Sequence, residues 1–429
     1  MSRHGLDAVV SLFSGAGGLS TGFHAAGLPS ILAADRDMHA GRTYCMNLSP
    51  DTFMLADLGR DAQVVVDVCR ARLGVVPLFA VIGGPPCQGF SSAGHKSAND
   101  PRNALVLSYM SIVNDLRPSW FLFENVEGML TSGRGDSVCA LVAGFIAAGY
   151  TLRVERVAMA GYGLPQARKR VLLVGNRHGL SFRLPASTHA FTSLRGGSMH
   201  GIPATGALEA ISGLPWEASR LQSAPVPSWN LPGEPQEGSW AACMGVSAMS
   251  FTNQHVSRQS PSDNLRVAKL LPGQSMRDLP EHMWPAGWSR RAFRRVSDGT
   301  PSDRRGGAPS VLRRLVSDDA SPTITGSSSS ELVHPMHNRT LTLRECARLQ
   351  GFPDSYQFSG GRAAVAQQIG NAFPPSIASM LAECLLNWHG LAGGGRAVHA
   401  TGLQGVRLGE RKAASPALKF VMDRLSGFL

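Results

Sequence analysis

Seven short apolar runs in the first half of this chain alternate with helix-forming stretches, and that alternation limits the possible folds more than any other feature. The runs cover residues 8–13, 30–34, 52–55, 78–82, 119–123, 151–158 and 170–175, with helical patterns at 19–26, 38–47, 62–73, 104–116 and 137–148 between them. They are rich in Val, Leu, Ile and Phe without polar alternation, as strands are when helices cover both faces of a parallel sheet. The expected architecture is α/β: a doubly wound, mostly parallel sheet of seven strands, followed by a second, smaller and irregular domain.

The second domain is expected because Pro, Gly and Ser crowd residues 184–335 and periodicity is poor there. The tryptophans at 216, 229, 240, 284 and 288 read as small satellite cores. Helical pattern returns from Leu343 and again over 364–388. The expected boundaries are a first domain over 1–183, completed by 364–390, a second domain over 184–338, a hinge over 339–363, and a loosely held tail over 391–429 that starts near Gly393-Gly394-Gly395.

The 429 residues are 43% hydrophobic and 17% charged, a globular balance with room for two cores. No apolar run reaches the length of a membrane span, and the N-terminus lacks the apolar centre of a secretory signal, so a cytoplasmic protein is expected. Lys and Arg exceed Asp and Glu by +11, which favours polyanion partners. The seven cysteines include no Cys-x-x-Cys pair, so neither a zinc site nor a disulfide framework is expected.

Two loops carry most of the chemistry. Phe13-Ser14-Gly15-Ala16-Gly17-Gly18-Leu19 follows the first strand. Glycines at a strand-to-helix turn allow close backbone approach to a ligand, and the helix start offers unpaired N–H groups. A plain tight turn is the alternative. The next strand ends in Asp35 and Asp37, where a carboxylate could accept from ribose hydroxyls, and Asp57 follows the third strand, within reach of an adenine amino group. The second loop, Gly83-Gly84-Pro85-Pro86-Cys87-Gln88-Gly89-Phe90-Ser91, leaves the fourth strand. Its prolines stiffen the frame that aims the Cys87 thiol at the sheet edge where ligands sit.

Glu124-Asn125-Val126 closes the fifth strand. Glu124 either caps the following turn or, held protonated, hydrogen-bonds a ring nitrogen and an exocyclic amine. Gln166-Ala167-Arg168-Lys169-Arg170 leads into the seventh strand, as solvated charges or as contacts to phosphate and base oxygen.

With Arg344-Glu345-Cys346-Ala347-Arg348-Leu349-Gln350-Gly351-Phe352-Pro353 and Gln368-Ile369-Gly370-Asn371-Ala372 added, these pieces in this order resemble the cytosine-5 DNA methyltransferases of bacterial restriction–modification systems. The resemblance spans roughly residues 8–177 and 334–382. It implies that the sheet is the S-adenosylmethionine-dependent methyltransferase sheet, with Phe13, Gly15, Gly17, Gly18, Leu19, Asp35, Asp57, Pro85 and Asn371 lining the cofactor site. It implies Cys87 as nucleophile, Glu124 holding the base, Arg170 on the cytosine carbonyl oxygen, and Arg168 supporting the same pocket. Residues 90–100 would form a mobile loop, with Gln88, Ser91, His95 and Lys96 meeting DNA. Residues 184–338 would read the target site in double-stranded DNA, probed also by a cognate restriction endonuclease. No metal is needed, and a monomer suffices.

The arginine pairs 290–291, 294–295, 304–305 and 313–314 favour DNA contact over a merely solvated face, with Arg290, Arg291, Arg294 and Arg295 as the leading candidates. His334 and His337 flank a turn and read as structural. Two rivals stay open: methylation of transfer RNA by the same Pro-Cys-Gln chemistry, and a catalytically dead DNA-binding relative, against which the intact Cys87, Glu124 and Arg170 speak.

Overall fold

The computed structural model describes residues 8–86, 102–190, 201–214, 226–227, 238–245, 250–254, 256, 259–288, 295–296, 304–305, 312–392 and 401–429. The chain divides into two compact units: Met1–Ala158, Lys169–Ala186 and Phe373–Leu429 form the first, Met159–Arg168 and Ser187–Ala372 the second.

The first unit is built on a mostly parallel sheet. Its strands are β1 (Ala8–Leu12), β2 (Ser30–Asp35), β3 (Thr52–Leu55), β4 (Leu78–Gly83), β5 (Trp120–Asn125), β6 (Thr151–Ala158), β7 (Lys169–Asn176) and β8 (Gly402–Arg407). Its helices are α1 (Gly18–Ala25), α2 (Met38–Leu48), α3 (Ala62–Leu73), α4 (Arg102–Leu116), α5 (Gly128–Thr131) and α6 (Asp136–Ala147), then α9 (Pro375–Ala392) and α10 (Pro416–Ser426), after α7 (Leu343–Leu349) and α8 (Arg362–Asn371) of the second unit. The strand order is β8-β6-β7-β5-β4-β1-β2-β3. Only β7 runs antiparallel to its neighbours β5 and β6. Every residue of β1 and of β4 is buried, the result of apolar runs with no polar face. One face of β5 stacks Phe121 on Phe145 of α6, with centroids 4.0 Å apart. On the other, Trp120 Nε1 donates to His389 Nδ1 of α9 at 3.3 Å.

The strand order reverses between β1 and β4, because β1 pairs with both β2 and β4. Connections leave those two strands toward opposite faces, and the crevice outside their carboxyl ends is where open α/β sheets take ligands. The Phe13 loop and the Gly84 loop both start there.

Two expectations change. The sheet has eight strands rather than seven, because the supposed loose tail supplies β8 and then α10. Leu418, Val421 and Leu425 recur with helical spacing and are buried in the sheet's core, a pattern that the glycines at 393–395 obscured. The domain boundaries also move. Residues 364–372 belong to the second unit, as does the expected hinge, whose Leu343, Leu349, Phe352 and Tyr356 are core residues. No helix among the described residues is long and apolar enough to cross a membrane.

The second unit is irregular, as expected. A second small core gathers Val267, Leu270, Met276, Leu279, Leu312 and Trp288, with Trp284 packed against it. Trp240 Nε1 donates to Arg348 O at 3.2 Å. These three tryptophans are packing residues; Trp216 and Trp229 lie outside the described residues.

Candidate active site

The chain leaves β1 through a turn in which Phe13, Gly15 and Gly17 all have positive φ, at 51°, 53° and 86°. Glycine takes this conformation freely, but a phenylalanine does so only under the constraint of its surroundings. The turn is fixed from β2: Gly15 N donates to Asp35 Oδ2 at 2.7 Å, and Ser14 N to Ala34 O at 3.1 Å. Gly17 is the N-cap of α1 and brings no side chain to its first amides. The helix start therefore presents N–H groups to an anionic ligand. Gly18 and Leu19 are buried in its first turn.

The structure separates the two carboxylates that follow β2. Asp37 caps α2, its Oδ1 accepting from His39 N at 2.8 Å and Ala40 N at 3.0 Å. Asp35 is half-buried and takes one backbone N–H on each oxygen, from Gly15 and, at 2.9 Å, from Asp37, which leaves further acceptor capacity. Burial raises its pKa. Asp57 follows β3, half-buried, with Oδ1 accepting from Gly59 N at 3.0 Å. The carboxyl ends of β1, β2 and β3 thus offer helix-start amides and two carboxylates, a donor set that fits an adenosine bearing an amino acid.

At the same edge, β5 and β7 bring Glu124 and Arg170 together. Arg170 Nε lies 2.6 Å from Glu124 Oε1, and each side chain is 13% exposed. The second carboxylate oxygen sits over Gly84, where a Cβ would come within 2.6 Å of Oε2. Any side chain at 84 would displace the carboxylate. The next residue, Pro85, is buried, and its carbonyl accepts from Asn125 Nδ2 at 3.2 Å. Asn125 Oδ1 in turn accepts from Val126 N at 2.8 Å. Glu124 is an ion-pair partner rather than a cap of the following turn. The chain then runs through Pro86 to Cys87.

Cys87 itself, with Gln88, Ser91, His95, Lys96 and the rest of 90–100, lies outside the described residues. Among the other cysteines, Cys69, Cys139, Cys346 and Cys384 are buried. Burial pushes the thiols of Cys69 and Cys384 up to about 12 and 11, so both stay protonated.

Arg168 lies in the second unit, 1% exposed. Its guanidinium donates to Ile324 O at 3.1 Å and twice to Gly370 O at 3.2 Å. This is the geometry of a positioning residue, not of a group presented to a base. Beside it, Gln166 Nε2 donates to Leu349 O at 3.0 Å and Gln350 Oε1 at 2.7 Å, and Ile324 N donates to Gln166 Oε1 at 2.8 Å. Asn371 ends α8, exposed, with Oδ1 accepting from Gln367 Nε2 at 2.8 Å. It belongs to the second unit, whereas the other cofactor candidates among the described residues belong to the first.

Of the basic pairs, Arg290, Arg291 and Arg294 lie outside the described residues, and only the backbone of Arg295 is described, paired with Arg305. Arg314 corrects the reading of its pair as a DNA contact. It is 5% exposed and donates to Val267 O, Leu270 O, His334 O, His337 O and Asn338 Oδ1. Sequence reasoning also passed over Gly84 and the Asn125–Pro85 tie, although both residues stand inside quoted motifs.

The model of the C-5 cytosine-specific DNA methylase family matches residues 8–387. The chain belongs to that family. The Type II methyltransferase M.DdeI of Desulfomicrobium norvegicum is 31% identical over 89% of this chain and 88% of its own length. M.AgeI of Thalassovita gelatinovora, another Type II methyltransferase, is 32% identical over 88% of this chain and 98% of its own. Among solved structures, a DNA modification methyltransferase encoded within an E. coli prophage shares the fold, with a TM-score of 0.66 and 24% identity over 89% of this chain and 99% of that one. The protein is a cytosine-5 DNA methyltransferase, and the methyl donor of such enzymes is S-adenosylmethionine. As a member of the family it has DNA as its substrate.

Proposed function

We propose that Cys87 is the nucleophile of this methylase, that Glu124 and Arg170 hold a flipped-out cytosine, and that the Phe13–Asp57 edge holds the methyl donor. The observation that carries the reading is the Glu124–Arg170 pair at 2.6 Å, on the sheet edge where β4 leads into Pro85-Pro86-Cys87.

Carbon 5 of cytosine is a weak nucleophile. Addition of the Cys87 thiolate to carbon 6 converts the ring to an enamine whose carbon 5 can attack an electrophile. The thiol's ordinary pKa is about 8.5, so its deprotonation is either assisted by a neighbouring group or coupled to attack. Glu124, carrying a proton when the base is bound, donates to the ring nitrogen and accepts from the exocyclic amine, Arg170 donates to the carbonyl oxygen, and together they stabilise charge that develops on the ring. When bound, S-adenosylmethionine supplies the electrophilic methyl group that carbon 5 takes up. Loss of the carbon 5 proton, with departure of the Cys87 sulfur, restores the aromatic ring. Phe13, Gly15, Gly17, Gly18, Leu19, Asp35, Asp57, Pro85 and Asn371 would hold the donor, the α1 amides on its carboxylate and the two aspartates on its nucleoside. Arg168 fixes the backbone at Gly370, next to Asn371. No metal takes part.

Gln88, Ser91, His95 and Lys96 meet the DNA near the extruded base, and the second unit reads the site, with Arg290, Arg291, Arg294 and Arg295 on phosphates or guanines. The enzyme acts as a monomer on double-stranded DNA in the bacterial cytoplasm and protects the site from a restriction endonuclease that cuts it. The naming of its relatives as Type II methyltransferases supports this last point.

A duplex with 5-fluorocytosine at the target tests the mechanism. Fluorine leaves no carbon 5 proton to remove, so the Cys87 adduct should persist in the presence of the donor. It should be absent with Cys87→Ser. Failure of the unaltered enzyme to form it, under conditions where ordinary duplex is methylated, would refute the nucleophile.

A further inference from the structure

The family model ends at residue 387, yet residues 401–429 fold onto the first unit. β8 lies parallel to β6, with Leu403 opposite Leu152 and Arg407 opposite Glu155. Glu155 is 2% exposed and is held by Arg153 Nε at 3.0 Å and by Arg407 Nε at 2.8 Å. The turn after β8 brings Gly409 against Arg156, where a Cβ would meet Nη2 at 2.8 Å. Arg156 Nη1 in turn pairs with Glu127 Oε1 at 3.3 Å.

The next element, α10, reaches the same stretch from another side. Its Leu418, Val421 and Leu425 join Met129, Leu130 and Val138 in one core. Arg424 Nη1 donates to Arg134 O at 2.8 Å and to Asp136 Oδ1 at 2.6 Å. Between α5 and α6 the chain makes a tight turn, Ser132–Gly135, in which Gly133, Arg134 and Gly135 have φ of 52°, 54° and 78°. Successive left-handed residues, one of them an arginine, persist only when their surroundings over-determine them. Val421 packs so closely on Gly135 that a Cβ there would meet its Cγ2 at 2.7 Å. The segment under this clamp begins directly after Glu124-Asn125-Val126, and Met129 N donates to Val126 O at 3.1 Å. α5 itself has four residues, too few to be stable alone.

We infer that the segment β8–α10 is a positioning element for Glu124, clamping residues 127–136 so that the end of β5 holds the carboxylate between Arg170 and Gly84. The inference rests on the proposed role of Glu124. Nothing in α10 touches the reacting atoms; it acts through the backbone that follows the glutamate.

The test uses full-length enzyme on duplex DNA, with Val421→Ala, which removes two methyl groups at the clamp, and Val421→Asp, which undocks α10. Displacement of a catalytic group by about 1 Å costs on the order of a hundredfold in rate. Val421→Asp should lower kcat about ten- to hundredfold and Val421→Ala about threefold, with KM for the methyl donor and DNA affinity within about twofold of the parent. Arg424→Ala should lower kcat modestly, and Arg424→Lys should recover part of the loss. The decisive arm combines Val421→Ala with Glu124→Gln. If the clamp acts through Glu124, Val421→Ala adds no further loss in that background; a purely structural role would multiply the two effects. Multiplied effects, or a kcat unchanged in both Val421 variants, overturn the inference. Full activity of Glu124→Gln alone would instead remove the reading of Glu124 itself. Should Val421→Asp fail to fold, Val421→Ala and its double variant still decide.

Discussion

The two units of this methylase keep their backbones in place by different means. In the first, strands pair with strands and apolar side chains cover the sheet, so the ladder itself satisfies the backbone groups of the inner strands. In the second, short irregular segments leave carbonyls without ladder partners, and buried guanidiniums take them instead. Arg344 donates to Thr252 O at 3.1 Å, Pro353 O at 3.2 Å and Tyr356 O at 2.7 Å. Arg348 makes a bidentate pair with Asp354 at 2.8 and 2.6 Å, both side chains at zero exposure. Arg168 and Arg314 do the same for Gly370, Ile324 and the turn at 334–338. A planar group with five donors can collect carbonyls from several segments at once, which no ladder can do for an irregular chain. The lesson is that arginines in the irregular unit of a DNA methylase are not all there for DNA.

The largest expected effect probes that difference directly. Asp354→Ala leaves the Arg348 charge buried and unpaired, and should destabilise the second unit by about 3–5 kcal/mol, whereas Arg348→Met with Asp354→Leu should be close to neutral. Amide hydrogen exchange resolved by unit measures both. A loss below about 1 kcal/mol for Asp354→Ala would end the comparison. The next effect belongs to the first unit and to catalysis. Gly84→Ala drives a methyl group into Glu124 Oε2 and should lower kcat about a hundredfold with little change in melting temperature; normal turnover would show that the carboxylate has room to move. Arg314→Lys keeps the charge but loses the fork, and should weaken the second unit by about 2 kcal/mol in the same exchange measurement.

The last effect is read as a pH slope rather than as a loss at one pH. His334 Nδ1 accepts from Met336 N and His337 N, both at 3.1 Å. Burial, aided by the charges of Arg339 and Arg314 and by His337 and opposed by Glu345, lowers its pKa to about 3 from an ordinary value near 6.5. Between those values the unfolded chain binds a proton that the folded one refuses. This contribution is intact above about 6.5 and declines as pH falls toward 3, by up to about 1.4 kcal/mol per pH unit. His334→Asn should flatten that decline in urea unfolding midpoints measured from pH 7 to 4. An unchanged slope would mean that the imidazole does not titrate as its burial requires.

Much of the first unit was legible. β3 (Thr52–Leu55) and β6 (Thr151–Ala158) match their expected spans to the residue, because a short run of strand-forming residues between turns is a local signal. The sheet edge proposed here for the ligands carries the loops after β1 and β4 that the sequence singled out. The second unit was not legible beyond its irregularity, since a buried Arg314 and an exposed arginine look the same in a sequence. The tail was misjudged because three glycines preceded an otherwise ordinary amphipathic helix.

Taken alone, the amino-acid sequence determined the α/β class, the placement of the glycine turn and of Gly84-Pro85-Pro86 at strand ends, and membership in a chemistry, since strand burial and βα turns depend on neighbours a few residues apart. Only the tertiary structure decided that Glu124 Oε2 lies over Gly84, that Arg168 reaches Gly370 across 202 residues, and that residues 402–407 add an edge strand to the sheet. Those outcomes depend on which donor meets which acceptor once distant segments pack, and the spacing of residues along a chain carries no record of that choice.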